Sequence, residues 1–458
     1  MSSSLLRKLR ILPLLLTLIA VVEPGCKRNS AGRQNLQKAP VGKTTVNPLT
    51  KTYPQPCSPD KWVKHGIVLE PNQPWEGNHT IVEFCSVPEP LGDGRWRIFY
   101  GSYGPGKNIG MAEGVPGGEM KKYQAALSEG KPANVPFAIG NLPEGWRPNQ
   151  PVHIKLQDGR DRLYFWVHAS RQGVIRYLAA DSNDGRRYRV VNAHTPCLYH
   201  FSDRAIEFVG TTASGLKLTA ENKKHRKPRP ISEPIAEPEL ITNDGVTVYQ
   251  LADGSFELYV NSLVSLEKGD RRWAYNDNLA GYIRVIDRLV SDDGLNWSTR
   301  QRAVEPDSLD PIDLQFYYLC VTHTSRGRVG MLGHYRVAAQ TMDVEWCFSP
   351  DGVNWTRPFR RGWLERGKTS EKDSYCIFPA ASMVQYKGKW WLFYTGVNCS
   401  HNWWDCHGKT PRSVIMLATT KSIWHPFFVP TDYKPLVNLF KAKQSIGQFE
   451  EIRIEKSE

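Results

Sequence analysis

A turn motif that recurs along the chain constrains its fold more than any other feature. Residues 291–297 and 349–355 share the pattern S-x-D-G-x-N-W, and residues 181–188 form a degenerate third copy. In such a turn the Asp caps backbone N–H groups, the Gly supplies a positive φ, and the aromatic residue packs the turn onto a sheet. The motif therefore predicts β-strands that are joined by tight turns at several places along the chain.

Five longer units surround these turns. Each unit has a polar cluster, an apolar strand, a turn and then an aromatic-rich strand such as 96–100 or 389–394. The units open at Asn78, Asn149, Asn243, Asp310 and Asp373. Further strand candidates, for example 174–180, 283–290, 343–348 and 414–419, follow in later units. Three to four strands per unit is typical of propeller blades that carry loop insertions. The sequence predicts an all-β, five-bladed β-propeller with blades of about four antiparallel strands around a central funnel.

Composition agrees with an all-β protein and argues against nucleic-acid binding. The 458 residues include 32 Pro, 37 Gly, 15 Trp and 19 Tyr, a mixture that favours strands and turns. The net charge is +13, but much of the excess lies in the first 51 residues and in the basic run 223–229. Because no basic helix with interleaved aromatic residues is evident, we predict no nucleic-acid partner.

The N-terminus predicts export. Basic residues at positions 7, 8 and 10 precede an apolar run, 11–22, that is too short for an ordinary membrane span. The following Glu23-Pro-Gly-Cys26 resembles a bacterial lipobox, although Glu23 stands where an aliphatic residue is usual. Lipidation at Cys26, ordinary cleavage and an uncleaved anchor all stay open. We expect a periplasmic or cell-surface protein whose membrane contact, if it has one, is an N-terminal lipid anchor.

The predicted organisation has four parts. They are a signal peptide of possible lipoprotein type at 1–26, a flexible linker at 27–55, the propeller at 56–430 and a C-terminal tail at 431–458. We expect a monomer. Cys399 and Cys406 flank one loop and are the best candidates for a disulfide, whereas Cys85, Cys320 and Cys347 lie in apolar strand patterns that predict buried thiols.

With five such units, their polar openings and the Asp turns, the chain resembles the five-bladed propeller glycosidases over about residues 60–425. That superfamily contains invertases and levanases, and also arabinanases and β-xylosidases. The resemblance implies a funnel in which two carboxyl groups face each other across a glycosidic bond. The family places its acids on inner strands of the first three blades. This sequence departs from that pattern. It has Glu76 to His79 in blade one and Asn149-Gln150 in blade two, where the family has an Asp in each case.

Candidate site residues therefore come partly from other positions. The candidate catalytic carboxylates are Glu76, Asp244, Asp313 and Asp373. The candidate substrate-binding residues are Asn78, His79, Gln150, Asp310, His334, Arg336, Glu345, Trp403 and Trp404. Structural alternatives stay open, such as a turn role for Asp244 and a strand-capping role for Asp310. We predict no cofactor, with a funnel Ca²⁺ as the alternative because Asp-rich sites with carbonyl oxygens suit hard cations.

Three functions compete on these observations, and all but the last have carbohydrate as the partner. The first is a glycoside hydrolase that acts on an extracellular oligo- or polysaccharide through two funnel carboxylates. The second is a non-catalytic carbohydrate-binding propeller, such as a surface lipoprotein that captures glycans, and the absent blade-one Asp favours it. The third is a protein-interaction scaffold, which would have no need for carboxylates and histidines at five strand starts.

Overall fold

The computed structural model describes residues 62–81, 86–104, 107–127, 136–203, 240–267, 269–274, 277–298, 300–402 and 405–423. All of them lie in one compact unit, Tyr53–Glu458. Strands dominate these ranges, whose only helical element is the 3₁₀ turn Ser170–Gln172. Within them no helix has the length and apolar character that a membrane crossing needs. The predicted all-β class is confirmed for the described residues.

Two sheets come first along the chain. The first has the order β2-β3-β4-β5, with β2 (Glu89–Gly92), β3 (Arg95–Ser102), β4 (Asn108–Gly114) and β5 (Met120–Gln124). The second has the order β6-β10-β9-β8-β7, with β11 also paired to β9. Its strands are β6 (Ala138–Gly140), β7 (Arg147–Lys155), β8 (Asp161–Ala169), β9 (Val174–Ser182), β10 (Arg187–Val190) and β11 (Leu198–Tyr199).

The third sheet is a four-stranded meander, and the fourth has nine strands. The third contains β12 (Leu240–Gln250), β13 (Phe256–Ser265), β14 (Tyr282–Ser291) and β15 (Gln301–Val304). The fourth contains β16 (Leu314–Thr324), β17 (Gly327–Arg336), β18 (Thr341–Ser349), β19 (Gly362–Leu364), β20 (Cys376–Pro379), β21 (Val384–Tyr386), β22 (Lys389–Val397), β23 (Ser413–Thr420) and β1 (Val63–Leu69).

The nine-stranded sheet consists of two antiparallel runs. The first run is β16 to β19, and the second is β20 to β23 with β1 as its last strand. One parallel pairing, Met342 with Cys376, joins them. Because β1 pairs antiparallel with β23, the first described strand lies beside the last one. The strand candidates 174–180, 283–290, 343–348 and 414–419 are confirmed as parts of β9, β14, β18 and β23.

Buried apolar side chains join these five strand groups in a cycle. One cluster packs the first sheet on the second, through residues such as Phe99 and Leu163, and another packs the second on the third. A third cluster joins the third sheet to the β16–β19 run. A fourth joins the β16–β19 run to the β20–β1 run. The last cluster joins the β20–β1 run to the first sheet, where Phe393 lies 5.0 Å from Trp96. The chain's core is therefore a closed succession of sheet-to-sheet contacts.

The Asp turns have the contacts that their sequence predicts. In each copy a Ser hydroxyl donates to the Asp carboxylate, which also accepts two backbone N–H groups: Ser182 with Asp184, Ser291 with Asp293, and Ser349 with Asp351. The following glycines have φ of 64°, 70° and 83°. Burial alone would raise the pKa of Asp293, but the N–H groups of Asn296 and Leu295 lower it to about 2.

Candidate functional site

A buried arginine holds two carboxylates at the start of the third sheet. Asp244 lies where the register of β12 shifts, and its side chain is 11% exposed. Arg284 Nε donates to Asp244 Oδ2 at 2.8 Å, and the Tyr317 hydroxyl donates to Asp244 Oδ1 at 3.0 Å. Arg284 also donates to Asp277, which accepts a second bond from the Tyr335 hydroxyl at 3.2 Å. A single guanidinium thus fixes the positions of both acids.

This group lies in a water-poor environment, where one guanidinium faces two carboxylates. Arg284 and Asp277 are both 0% exposed. Burial raises the pKa of Asp277, but Arg284 outweighs burial and holds that pKa below its usual range. The guanidinium lies 5.3 Å from the ring centres of both Tyr317 and Tyr335, a distance at which cation–π attraction operates. Asp277 therefore stays ionised, and Asp244 is the acid of the pair that reaches solvent.

On one side, charge interactions link Asp244 to the second sheet, and direct contacts then continue to the first. His200 interacts electrostatically with Asp244, and also with His168. His168 lies at the end of β8, where its Nε2 is 3.1 Å from Lys107 Nζ. Lys107 Nζ is in turn 5.7 Å from the centre of the Tyr103 ring. These interactions connect the third sheet to the first.

On the other side, the contacts pass through the β20–β1 run and return to the first sheet. His401 packs edge-on against Tyr317 and Tyr335, with ring centres 4.8 and 5.2 Å apart. The loop of His401 is tied back to β23, because Asn398 Oδ1 accepts the backbone N–H of Arg412. Beside Arg412, Ser413 Oγ is hydrogen-bonded to His79 Nδ1 at 3.0 Å, and His79 lies edge-on to Tyr103.

We call this circuit the polar ring. Its members are His79, Tyr103, Lys107, His168, His200, Asp244, Asp277, Arg284, Tyr317, Tyr335, His401 and Ser413. They come from all five strand groups or from the loops that join their strands. The ring therefore lies where the five groups meet one another.

The four histidines of the polar ring are held in their neutral form. Burial lowers the pKa of His79, His200 and His401 to about 4 in each case, and that of His168 to about 3. Neighbouring cations add to this: Arg412 for His79, Lys107 for His168 and Arg284 for His401. A neutral imidazole has one donor and one acceptor nitrogen. The ring can therefore offer both kinds of hydrogen bond to an uncharged polar ligand at neutral pH.

Glu76 and Asp373, two of the predicted catalytic carboxylates, are bound by side chains that do not belong to the polar ring. Glu76 is 0% exposed and accepts bonds from the Tyr100 hydroxyl, Lys122 Nζ and the backbone N–H groups at 72 and 73. Asp373 is equally buried and accepts bonds from Lys64 Nζ at 2.7 Å and the Tyr394 hydroxyl at 3.1 Å. These contacts hold the loop before the first sheet and join β1 to the start of β20.

The predicted acids of the β16–β19 run form ion pairs with arginines. Asp313, before β16, pairs with Arg336 at the end of β17, with 17% and 38% of their side chains exposed. Arg357 binds both Asp310 and Glu345. Burial raises the pKa of Glu345 even though Arg357 opposes the shift. His334 Nε2 is 3.9 Å from Glu345 Oε2, and burial lowers its pKa to about 4.

The remaining predicted residues lie near the ring or outside the described residues. The carbonyl of Asn78 accepts the backbone N–H of Ser413, beside the His79 contact. Gln150 is buried at the register shift of β7, with φ of 53°. Trp403, Trp404 and Cys26 lie outside the described residues. Of the predicted set, the structure brings Asp244 and His79 into the polar ring and places Asn78 next to it.

Sequence reasoning missed most of the polar ring, including Lys107, His168, His200 and Arg284. The predicted residues stand mainly at strand starts, but an antiparallel neighbour ends beside each start, so the second strand of a unit also places residues there. His168, directly after the aromatic stretch 163–167, carries that signal in the sequence. Arg284 lies at the start of the third strand of its unit. It pairs there with Leu263 near the end of β13, and so reaches the same end of the sheet.

Cysteines and metal-ligating groups add two observations. Cys399 and Cys406 form a disulfide, as the sequence predicts, and Cys320 and Cys347 are buried free thiols, also as predicted. Cys85 lies outside the described residues. Over the ranges that the structure describes, no three His, Cys, Asp or Glu side chains are grouped as a metal site would require.

No family model and no curated protein matches the chain. Solved structures are similar to it. A thermostable family-43 glycoside hydrolase is 10% identical, with 78% of this chain and 95% of that chain covered and a TM-score of 0.48. A glycosyl hydrolase from Bacteroides ovatus is 14% identical, with 81% and 93% covered and a TM-score of 0.41. An N-acetylgalactosamine deacetylase from F. plautii, in complex with blood group B trisaccharide, is 13% identical, with 79% and 95% covered and a TM-score of 0.47.

The similar structures thus include glycoside hydrolases, the class of protein that the sequence resembles. With TM-scores below 0.5, they establish no activity for this chain.

Proposed function

We propose that the chain is a five-bladed β-propeller that acts on carbohydrate as a glycoside hydrolase, and that the polar ring is its ligand site. The closed succession of apolar clusters supports five blades, with the β16–β19 and β20–β1 runs as the fourth and fifth. The ring draws on every blade, as a ligand site in a central funnel would. Substrate then binds at the face where the inner strands start.

One observation carries the proposal: Asp244 is a partly exposed carboxylate held in place by two donors inside that ring. Glycoside hydrolysis uses an ionised carboxylate as base or nucleophile at the sugar carbon. Arg284 and Tyr317 fix the two oxygens of Asp244, so that its orientation is set before substrate arrives. We assign Asp244 this role.

The character of the ring suits a sugar. A sugar ring offers hydroxyl groups that both donate and accept, and it has apolar C–H faces that pack on aromatic rings. The neutral histidines match the hydroxyls, and Tyr103, which is partly exposed, supplies aromatic surface. An uncharged or weakly charged glycan is therefore the ligand that this chemistry favours.

A second candidate function is glycan capture without catalysis. The observation that favours it is the state of Asp277, which is fully buried, ionised and bound to Arg284. A hydrolase also needs a carboxylic acid that donates a proton to the leaving group. Asp277 cannot serve as that acid, because it is ionised and bound to Arg284. If no turnover is found, glycan capture is therefore the function that the site supports.

The test is hydrolysis of a panel of plant, algal and fructan oligosaccharides by the full chain and by two variants. We expect Asp244→Asn to lower kcat by about 10²–10⁴-fold, because the variant lacks the carboxylate that acts at the sugar. Asp313→Asn is the matched control, since Asp313 pairs with Arg336, and it should keep near-normal turnover. Circular dichroism checks that both variants fold.

Other outcomes assign the function differently. Loss of turnover in Asp313→Asn alone would move the site to the β16–β19 run. Saccharide binding by the unmodified chain without turnover would establish capture instead of hydrolysis. Absence of both binding and turnover across the panel would contradict the carbohydrate proposal.

A further inference from the structure

We propose that a cleft between the β16–β19 and β20–β1 runs is a second saccharide-binding subsite, which holds a more distant unit of a glycan chain bound at the polar ring. The cleft measures about 590 Å³, within the range of about 300–1,000 Å³ that ligand pockets occupy. Its lining includes Asp343, Gly362, Arg366, Ser374, Tyr375 and His407. The proposal rests on the proposed function, because it requires that the polar ring bind carbohydrate.

One loop connects the cleft to the polar ring. His401 belongs to the ring, and the neighbouring Asn402 donates its side-chain N–H to Asp277 Oδ1 at 3.3 Å. A few residues later, His407 lines the cleft. The Cys399–Cys406 disulfide closes the loop between these two ends. The described ends of this loop therefore contact both sites, and the disulfide holds them together.

Tyr375 and His407 form an aromatic wall of the cleft. Their ring centres are 4.9 Å apart, with 38° between the planes. Asp405 holds both residues: it accepts a bond from the Tyr375 hydroxyl, and its Oδ1 accepts the backbone N–H of His407 at 2.9 Å. The His407 side chain is 42% exposed, so an aromatic surface faces solvent where a sugar ring could pack.

The backbone of His407 supports a functional role for this wall. Its φ is +48°, in the left-handed region that a residue with a side chain rarely adopts. Such conformations persist where the surroundings enforce them, and they cluster at ligand sites. Here the conformation, together with the bond to Asp405, presents the imidazole beside Tyr375.

Polar groups in the lining complete the subsite. Ser374 lines the cleft and is only 8% exposed, and its buried hydroxyl has no hydrogen-bond partner among the described residues. Arg366 is held by Asp343 at 2.8 Å and by the Ser374 carbonyl at 3.2 Å. A buried hydroxyl without a partner costs free energy unless a ligand satisfies it. A sugar hydroxyl provides the donor and acceptor that this position lacks.

The test compares affinity for short and long members of one oligosaccharide series. Titration calorimetry of the full chain should show tighter binding of pentasaccharides and hexasaccharides than of disaccharides. We expect His407→Ala to weaken binding of the long members by about fivefold to tenfold, the order of one lost ring contact, with disaccharide affinity unchanged. His194→Ala, at an exposed loop position of the second sheet, is the matched control and should leave both affinities unchanged. Ser374→Ala should weaken the long members as well.

The outcomes separate this proposal from the function on which it rests. Affinity that does not grow with chain length, or that ignores both His407→Ala and Ser374→Ala, overturns the second subsite while Asp244→Asn still reports on the polar ring. Equal weakening of disaccharides and long members by His407→Ala also overturns it, because the cleft would then act on the ring itself. If no oligosaccharide binds, both proposals fail.

Discussion

Arg284 is the residue on which the geometry of the polar ring depends most. Its guanidinium donates to Asp244 and Asp277, packs against Tyr317 and Tyr335, and has no exposed surface. Removing one partner from a buried ion network leaves the others charged in a medium that solvates them poorly. The stability of the fold and the orientation of Asp244 are therefore coupled at this residue.

We expect Arg284→Met to lower the free energy of unfolding by about 3–5 kcal/mol, because it leaves two carboxylates without their cation. The control is Arg336→Met. Its ion pair with Asp313 is partly exposed, so the loss should stay below about 1 kcal/mol. Urea unfolding midpoints of the two variants measure the difference. Equal, small losses would show that the buried ion network stabilises the fold no more than the partly exposed ion pair does.

At the scale of elements, the Asp turns show what a sequence can predict unaided. The hydrogen bonds that shape the turn at 349–355 lie within a few residues, from Ser349 and Asp351 to the N–H of Asn354. Local chemistry therefore specifies it, and the strands on either side follow from alternation and turn spacing. The units that begin at 149 and 243 were likewise predicted from local pattern and contain β7 and β12.

The polar ring could be predicted only in part, because its contacts join residues that are far apart in sequence. Asp244 and His79 were accessible, since both stand at the polar opening of a unit. Arg284 was not, since its position follows from the register of β13 with β14 and from the packing of neighbouring sheets. The ion-pair partners of other acids could not be predicted from the sequence either. For example, the bond between Glu76 and Lys122 joins residues that are far apart in the chain.

A glycine pair tests the account of the Asp turns. Gly352 has φ of +83°, and a Cβ there would lie 2.7 Å from the Tyr259 hydroxyl and 3.0 Å from Arg328 Nε. Gly388 also has positive φ, but a Cβ there would meet nothing within 4 Å. We expect Gly388→Ala to cost about 1–2 kcal/mol through backbone strain alone.

Gly352→Ala should cost clearly more than Gly388→Ala, because the turn must also move away from the neighbouring sheet. Thermal unfolding of the two variants under one set of conditions compares them. Similar losses would mean that the turn can shift at little cost and does not fix the packing between sheets.

For the whole molecule, closure of the sheet succession places the polar ring at its common meeting point. The strand β1 completes the last strand group by pairing with β23, and the apolar cluster behind it contacts the first sheet. A single compact unit with all five strand groups in contact can bring a histidine of the first sheet and an arginine of the third to one ligand. Export and lipidation at Cys26 stay predictions, because residues 1–61 lie outside the described ranges.

The most direct test is to soak crystals of the full chain with the oligosaccharide that it binds best. The resulting crystal structure would locate the ligand site. We predict a saccharide whose hydroxyl oxygen lies about 2.7–3.0 Å from the Asp244 carboxylate. Its sugar ring should lie against the polar ring near His200 and Tyr317. An ordered saccharide elsewhere on the chain, with none at Asp244, would contradict the assignment of the polar ring as the site.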